Sequence, residues 1–215
     1  MHETLAEVRT IDLKTWHRTQ LYELFKTFSE PYHGVCLRID CTETFRYAKR
    51  HGCSMFLTLV HRALTAVNQV ESLKTRIVGE DVVQYPMIHG GGAVGRPNET
   101  ISFGFFHYRP CLQDFLLEAA AVLQRVKDRT DIERSSRQDL VRFSILPWLD
   151  FTSISHARSM AGEESAPRIT FGKVSENADR CTMPISIHVH HALADGLHVA
   201  QFVEQFERCL REPEL

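Results

Sequence analysis

The 215-residue chain has no C-x-x-C pair, no G-x-S-x-G elbow, no internal repeat and no Pro/Ser-rich linker. Its longest apolar runs, such as MFLTLV, fall far short of the ~20 residues a membrane span needs. The missing elbow argues against a serine hydrolase of the α/β-hydrolase kind. Without paired cysteine spacings, the six cysteines (36, 41, 53, 111, 181 and 209) read as reduced, buried thiols rather than as staples or metal ligands. Charge is nearly balanced, 25 basic against 27 acidic residues, net −2, so no strong field draws the chain to nucleic acid or an anionic membrane. The start, MHETLAEVRT, carries charge and no apolar h-region, and the expectation is a cytoplasmic protein.

What is present suits one domain spanning residues 1–215. A 43% apolar composition is enough for a substantial core, and a chain of this length buries roughly 70% of its unfolded surface. Residues 12–28 space Trp16, Leu21, Leu24, Phe25 and Phe28 as one amphipathic helix. Residues 34–40 alternate as a strand, and 42–52 form a short helix closed by glycine. Residues 54–70 form a buried helix after an N-cap serine. A hairpin over 75–88 turns near Gly79, and HGGGAVGRPNE (89–99) reads as a glycine-rich loop. A strand over 100–110 and a helix over 112–128 precede the mixed-charge connection 129–139. Strands follow over 142–154, 167–176 and 181–190, then a final amphipathic helix over 195–210. This mixture without a regular βαβ rhythm predicts an α+β fold, an α/β sandwich with a mixed β-sheet flanked by helices.

The densest chemistry lies in MPISIHVHHALADGLHV (183–199). Alternation puts Ser186, His188 and His190 on one strand face, and His191 follows where the strand ends. Asp195 stands at the N-cap of the last helix, and Gly196 leaves room for a close approach. Histidines two apart on a strand can share a metal, yet this spacing matches no ligand pattern and no second cluster completes a shell. For His188, His190 and His198 the reading is satisfied polar residues at a sheet edge.

His191-Ala192-Leu193-Ala194-Asp195-Gly196 is an H-x-x-x-D-G string, and it resembles the signature of the acyl-CoA-dependent acyltransferases. The longer HVHHALADGLHVAQF is similar to the chloramphenicol acetyltransferase family. So are Trp16-His17-Arg18, Ala66-Val67-Asn68-Gln69 and Ser144-Ile145-Leu146-Pro147-Trp148, so the likeness runs along nearly the whole chain.

The resemblance implies transfer of an acetyl group from acetyl-CoA, a co-substrate rather than a bound cofactor, to the hydroxyl of a small acceptor such as chloramphenicol. It implies His191 as general base, Ser144 as donor to the oxyanion and Thr170 acting through a bound water. Asp195 and Arg18 would pair to hold the histidine's turn. Trp148 and Lys173 would meet the CoA, and Phe25 and His33 would line the acceptor pocket. A homotrimer with active sites between subunits is implied as well, with no metal, nucleic acid or membrane partner. Phe25 and His33 stand where the family has tyrosine and phenylalanine, which leaves two alternatives: another hydroxyl or amine acceptor, or a non-catalytic binding protein on the same scaffold.

Overall fold

A computed structural model describes residues 7–132, 135–157 and 164–212. Its centre is a mixed sheet running β2 (Tyr32–Asp40), β10 (Arg180–His190), β8 (Arg168–Phe171), β7 (Leu140–Ile145), β5 (His89–Gly95) and β6 (Ile101–Phe106), with β9 (Ser175–Asn177) on the start of β10. The β5–β7 and β7–β8 pairs are parallel, and the remaining pairs are antiparallel. A second sheet of three short strands joins β1 (Arg9–Thr10), β4 (Asp81–Gln84) and β3 (Thr75–Val78). The expected α+β architecture is what forms. No helix among the described residues is long and apolar enough to cross a membrane.

Strand alternation divides the main sheet into two unlike faces. Val141, Phe143, Ile169, Phe171, Ile185 and Ile187 point one way and are buried. They share one core with α3 (Met55–Val67), α4 (Leu112–Asp128) and α5 (Gly196–Arg211), and α2 (Thr42–His51) packs beside α3 and α5. Arg142, Ser144, Arg168, Thr170, Ser186 and His188 occupy the alternate positions and point the other way. Helix ends follow local chemistry. Ser54 accepts the Leu57 N–H at 3.4 Å to open α3, and Gly52 closes α2 in the left-handed conformation at φ 63°.

Four smaller local expectations also fail. The helix expected over 12–28 shrinks to α1 (Thr19–Phe25). The Asp12 carboxylate takes the Lys14 N–H at 2.9 Å and its carbonyl takes the Trp16 N–H at 3.0 Å, so a turn replaces the first helical residues. Tyr22 is the buried anchor of α1, while Leu21, Leu24 and Phe28 are exposed. The strand expected over 142–154 ends at Ile145, because Pro147 has no N–H and Leu149 N–H turns back to the Leu146 carbonyl. The strand expected over 167–176 splits into β8 and β9 around Gly172 and Lys173. The histidines of β10 are not at an edge, since β10 lies between β2 and β8.

The largest departure is HGGGAVG, which is β5 and not a loop. It is paired on both sides, antiparallel to β6 and parallel to β7. Gly92 is there for closeness: a Cβ on it would stand 2.6 Å from the Phe106 ring, which is itself buried. The space a side chain would fill is taken by a neighbour's aromatic ring. Gly92→Ala is therefore expected to lower stability by about 1–3 kcal/mol through overpacking, measured by urea denaturation.

Candidate active site

The strand β10 ends at His190, whose carbonyl receives the Leu193 N–H (2.9 Å) and the Ala194 N–H (3.0 Å). The chain therefore makes a tight turn directly into α5. His191 N–H donates to the Pro31 carbonyl at 2.7 Å, fastening the turn to the entry of β2. Asp195 caps α5 by accepting the Leu197 N–H at 3.1 Å. Its other oxygen, Oδ2, receives Arg18 Nη1–H at 2.8 Å, and Arg18 Nη2–H reaches the His191 carbonyl at 3.4 Å. One guanidinium thus joins both ends of the H-x-x-x-D-G segment. A Cβ on Gly196 would meet nothing within 4 Å, so packing inside one chain does not require that glycine.

Electrostatics favour the charged form of this clamp. Burial pushes the Asp195 carboxyl up, but the Arg18 hydrogen bond, the charges of His198 and Arg18 and the Leu197 N–H outweigh it and hold it at about 2. His198 Nδ1 sits 2.9 Å from Asp195 Oδ1 and 3.2 Å from the Asp195 amide, so the proton on that nitrogen decides which of the two bonds forms. His198 belongs to the cap. His190 is buried behind the turn, and burial, aided by the neighbouring His191 charge and opposed by Glu30, lowers its imidazole to about 4. It packs edge-on to the Tyr32 ring at 5.6 Å.

The His191 ring lies between Phe25, stacked at 4.1 Å and 17°, and His33, at 5.1 Å and 30°. Its Nδ1 is 3.2 Å from the Ala194 carbonyl. A carbonyl can only accept, so Nδ1 carries a proton, and in its neutral form the ring presents its lone pair at Nε2. The sequence left the tautomer open, and the turn decides it.

Ser144 and Thr170 face each other across β7 and β8, and Thr170 faces Ser186 across β10. Thr170 is buried, with Oγ1 3.4 Å from His156 Nε2, and His156 in turn stands edge-on to His188 at 5.0 Å. His188 Nδ1 is 3.1 Å from Ser186 Oγ, and its ring occupies the space a side chain on Gly34 would need. Past the end of β7, Trp148 is 78% exposed, and the Lys173 N–H bonds the Leu149 carbonyl while its residue stays exposed.

The structure therefore gathers two groups. Arg18, Phe25, His33, His191 and Asp195 meet at one end of β10, whereas Ser144 and Thr170 face each other elsewhere on the sheet and Trp148 and Lys173 lie on the connections past the ends of β7 and β8. His191 is five residues beyond Ser186, roughly 16 Å along the strand, and β7 is two strands away, about 10 Å across. Within one chain Ser144 does not approach His191.

Sequence reasoning overlooked Arg142, Arg168 and Glu164. Arg142 Nε and Arg168 Nη2 both bind the Glu164 carboxylate, the latter at 2.5 Å. The signal was there: RFS (142–144) and RIT (168–170) share a two-residue spacing, which places an arginine beside each candidate hydroxyl on the same face.

The family profile described as chloramphenicol acetyltransferase matches residues 6–207. The chain belongs to the chloramphenicol acetyltransferase family. The enzyme of that name from Streptomyces acrimycini is 27% identical over 207 residues, covering 94% of each chain. Chloramphenicol acetyltransferase 3 of Escherichia coli is 25% identical over 199 residues, covering 91% of this chain and 93% of its own. A solved chloramphenicol acetyltransferase superposes with a TM-score of 0.87 at 25% identity, covering 95% of this chain and all of the other. The dihydrolipoamide acetyltransferase of Azotobacter vinelandii, at TM-score 0.67 and 16% identity over 90% of this chain and 86% of its own, shares the fold. As a member of this family the chain is an acyltransferase.

For this family member the Arg18–Asp195 pair has a measurable signature. Asp195 binds its proton more weakly in the folded protein than at its ordinary value of 3.8, so its stabilising contribution is present above that pH and fades as pH falls toward 2. Arg18→Met is expected to cost about 1–3 kcal/mol at neutral pH, less than a fully buried pair because Asp195 keeps 30% of its side-chain exposure. The loss should shrink between pH 4 and pH 2, read from denaturation curves of both proteins across that range.

Proposed function

We propose that the protein transfers an acetyl group from acetyl-CoA to a hydroxyl of a small acceptor, chloramphenicol being the first to try. The observation that carries this reading is the hydrogen bond from His191 Nδ1 to the Ala194 carbonyl, which leaves Nε2 as a base. Nε2 takes the hydroxyl proton as the acceptor oxygen attacks the thioester carbonyl. A C–O bond forms, the carbonyl oxygen becomes an oxyanion, and the Ser144 hydroxyl donates to it. The intermediate then collapses, the C–S bond breaks, and His191 returns its proton to the departing CoA thiolate.

The remaining residues position these groups. Arg18 and Asp195 are positioning residues that hold the His191 turn. Thr170 supports the intermediate through a water, Trp148 borders the pantetheine and Lys173 meets the CoA phosphates. Phe25 and His33 form the acceptor wall against the His191 ring. No bound metal or permanent cofactor has a step in this scheme.

The separation of Ser144 from His191 supports an assembly, a homotrimer by family likeness, in which one subunit's histidine serves its neighbour's serine. Exposed Leu21, Leu24 and Phe28 beside Phe25, and Trp148 and Leu149 beside Ser144, are apolar surfaces that such a contact would cover. A second reading, acetyl transfer to a different alcohol or amine, is favoured by the imidazole of His33 at the acceptor wall, 5.1 Å from the His191 ring.

Thiol release from acetyl-CoA with chloramphenicol tests the proposal. His191→Ala should abolish turnover, and Ser144→Ala should lower kcat by about 10²–10³. Co-assembling the two inactive variants should restore activity, since a mixed oligomer joins an intact histidine to an intact serine. If the mixture stays inactive while each variant remains oligomeric, the shared-site arrangement is wrong. If the wild type binds acetyl-CoA and ignores chloramphenicol, the acceptor is another molecule.

A further inference from the structure

The polar face of the sheet holds a charge arrangement that bears on the acceptor. Arg142 lies two residues before Ser144 on β7, pointing to the same face, roughly 7 Å along the strand. It is in register with Arg168 on one side and Gly91 on the other. Arg168 is in turn in register with His188. Both arginines share a single carboxylate, Glu164, so among the described residues one positive charge is unmatched.

The two arginines are not equivalent. Arg168 is committed to structure: Nη2 binds Glu164 and Nη1 donates to the Ala157 carbonyl at 2.9 Å. Arg142 gives only Nε to Glu164. Its two terminal nitrogens make no hydrogen bond among the described residues, and its side chain is 38% exposed. A guanidinium with its outer edge open presents two parallel donors, the geometry that suits a carboxylate.

The neighbouring strands supply a floor of small and aromatic residues, with the Arg137 guanidinium 4.5 Å from the centre of the Phe105 ring. Gly91 and Ala93 of β5 are in register with Phe105 and Phe103 of β6, on the face shared with Arg142, and Phe103 is partly exposed. The Arg142 fork thus shares the row of Gly91 and Phe105, two residues before the Ser144 hydroxyl on the same face. One surplus positive charge matches the single charge of a carboxylate better than the nearly double charge of a phosphate monoester.

Resting on the acetyl-transfer reading of Ser144 and His191, we propose that the acceptor is an aryl or otherwise apolar hydroxyl compound bearing a carboxylate, and that Arg142 binds that carboxylate. Arg142 sets specificity in this scheme and takes no part in bond making.

A matched pair of probes tests it: N-acetyl-phenylserine, which carries an aryl ring, a hydroxyl and a carboxylate, and its neutral carboxamide. Both are titrated calorimetrically into the whole protein in the presence of CoA. The acid should bind at least about tenfold more tightly than the amide, the worth of one charge-assisted hydrogen bond. Arg142→Leu should bring the ratio near one, and Glu164→Gln, which removes the competing carboxylate, should widen it. Equal binding of acid and amide, binding of neither, or a preference that survives Arg142→Leu overturns the proposal. Should Arg142→Leu not fold, a ratio that fails to widen in Glu164→Gln overturns it equally. Because the readout is binding, it separates from the chemistry: acid-selective binding without acetyl transfer defeats the acyl-transfer reading alone, and transfer to neutral acceptors without acid preference defeats this inference alone.

Discussion

The contact between Arg18 and Asp195 is the constraint on which the candidate site depends. It joins residues 177 positions apart, from the approach to the first helix to the cap of the last. Asp195 caps α5 with one oxygen and takes the guanidinium with the other, so the same carboxylate starts the helix and ends the turn. The guanidinium also reaches the His191 carbonyl, fixing the backbone of the histidine it never touches by side chain. Around it, Tyr22, Val82, Ala192 and Leu193 form a small core of their own, which ties α1 and the three-stranded sheet to the turn. An asparagine could keep the cap, but it could not supply the charge that the buried Arg18 guanidinium meets at the partly exposed Asp195.

From that turn the division of labour on the sheet follows. One face is apolar and carries α3, α4 and α5; the other is a row of hydroxyls, imidazoles and arginines. Alternation along β7, β8 and β10 produces both faces from the same residues, and a one-residue slip in register would exchange them. Ser144, Thr170 and Ser186 stand in line because their strands are in register, not because the chain brings them together locally. His191 lies outside that row, at the strand end. In the proposed reaction the base and the oxyanion donor come from different copies, and the exposed apolar residues around each are what such a meeting would bury.

Much of this was legible. The helix over residues 112–128 has the bounds its periodicity predicts, because its apolar spacing is uninterrupted and nothing competes for its ends. The Ser54 cap, the Gly52 stop and the Gly79 hairpin turn are local devices, and local devices survive folding. HGGGAVG misled for the opposite reason. Glycine raises the cost of a strand by itself, and only the Phe106 ring lying where a Gly92 side chain would be shows why glycine is required. The stretch before α1 misled because the Asp12 turn outweighs its helical apolar spacing, and Leu13 and Trp16 pack against the small core from that turn instead.

By itself, the sequence determined the mixed α+β composition, the family likeness carried by H-x-x-x-D-G and its flanks, and the identities of the residues at the candidate site. These are properties of residue type and spacing along a continuous chain. The family likeness also implied that Arg18 pairs with Asp195; tertiary structure alone decided the rest: that the Ala194 carbonyl sets the His191 tautomer, that Phe25 and His33 sandwich that ring, and that Arg142 and Arg168 share Glu164. Each is a contact between distant segments, or a hydrogen-bond direction within a turn. Such contacts follow from sheet register and packing, which no local window of sequence contains.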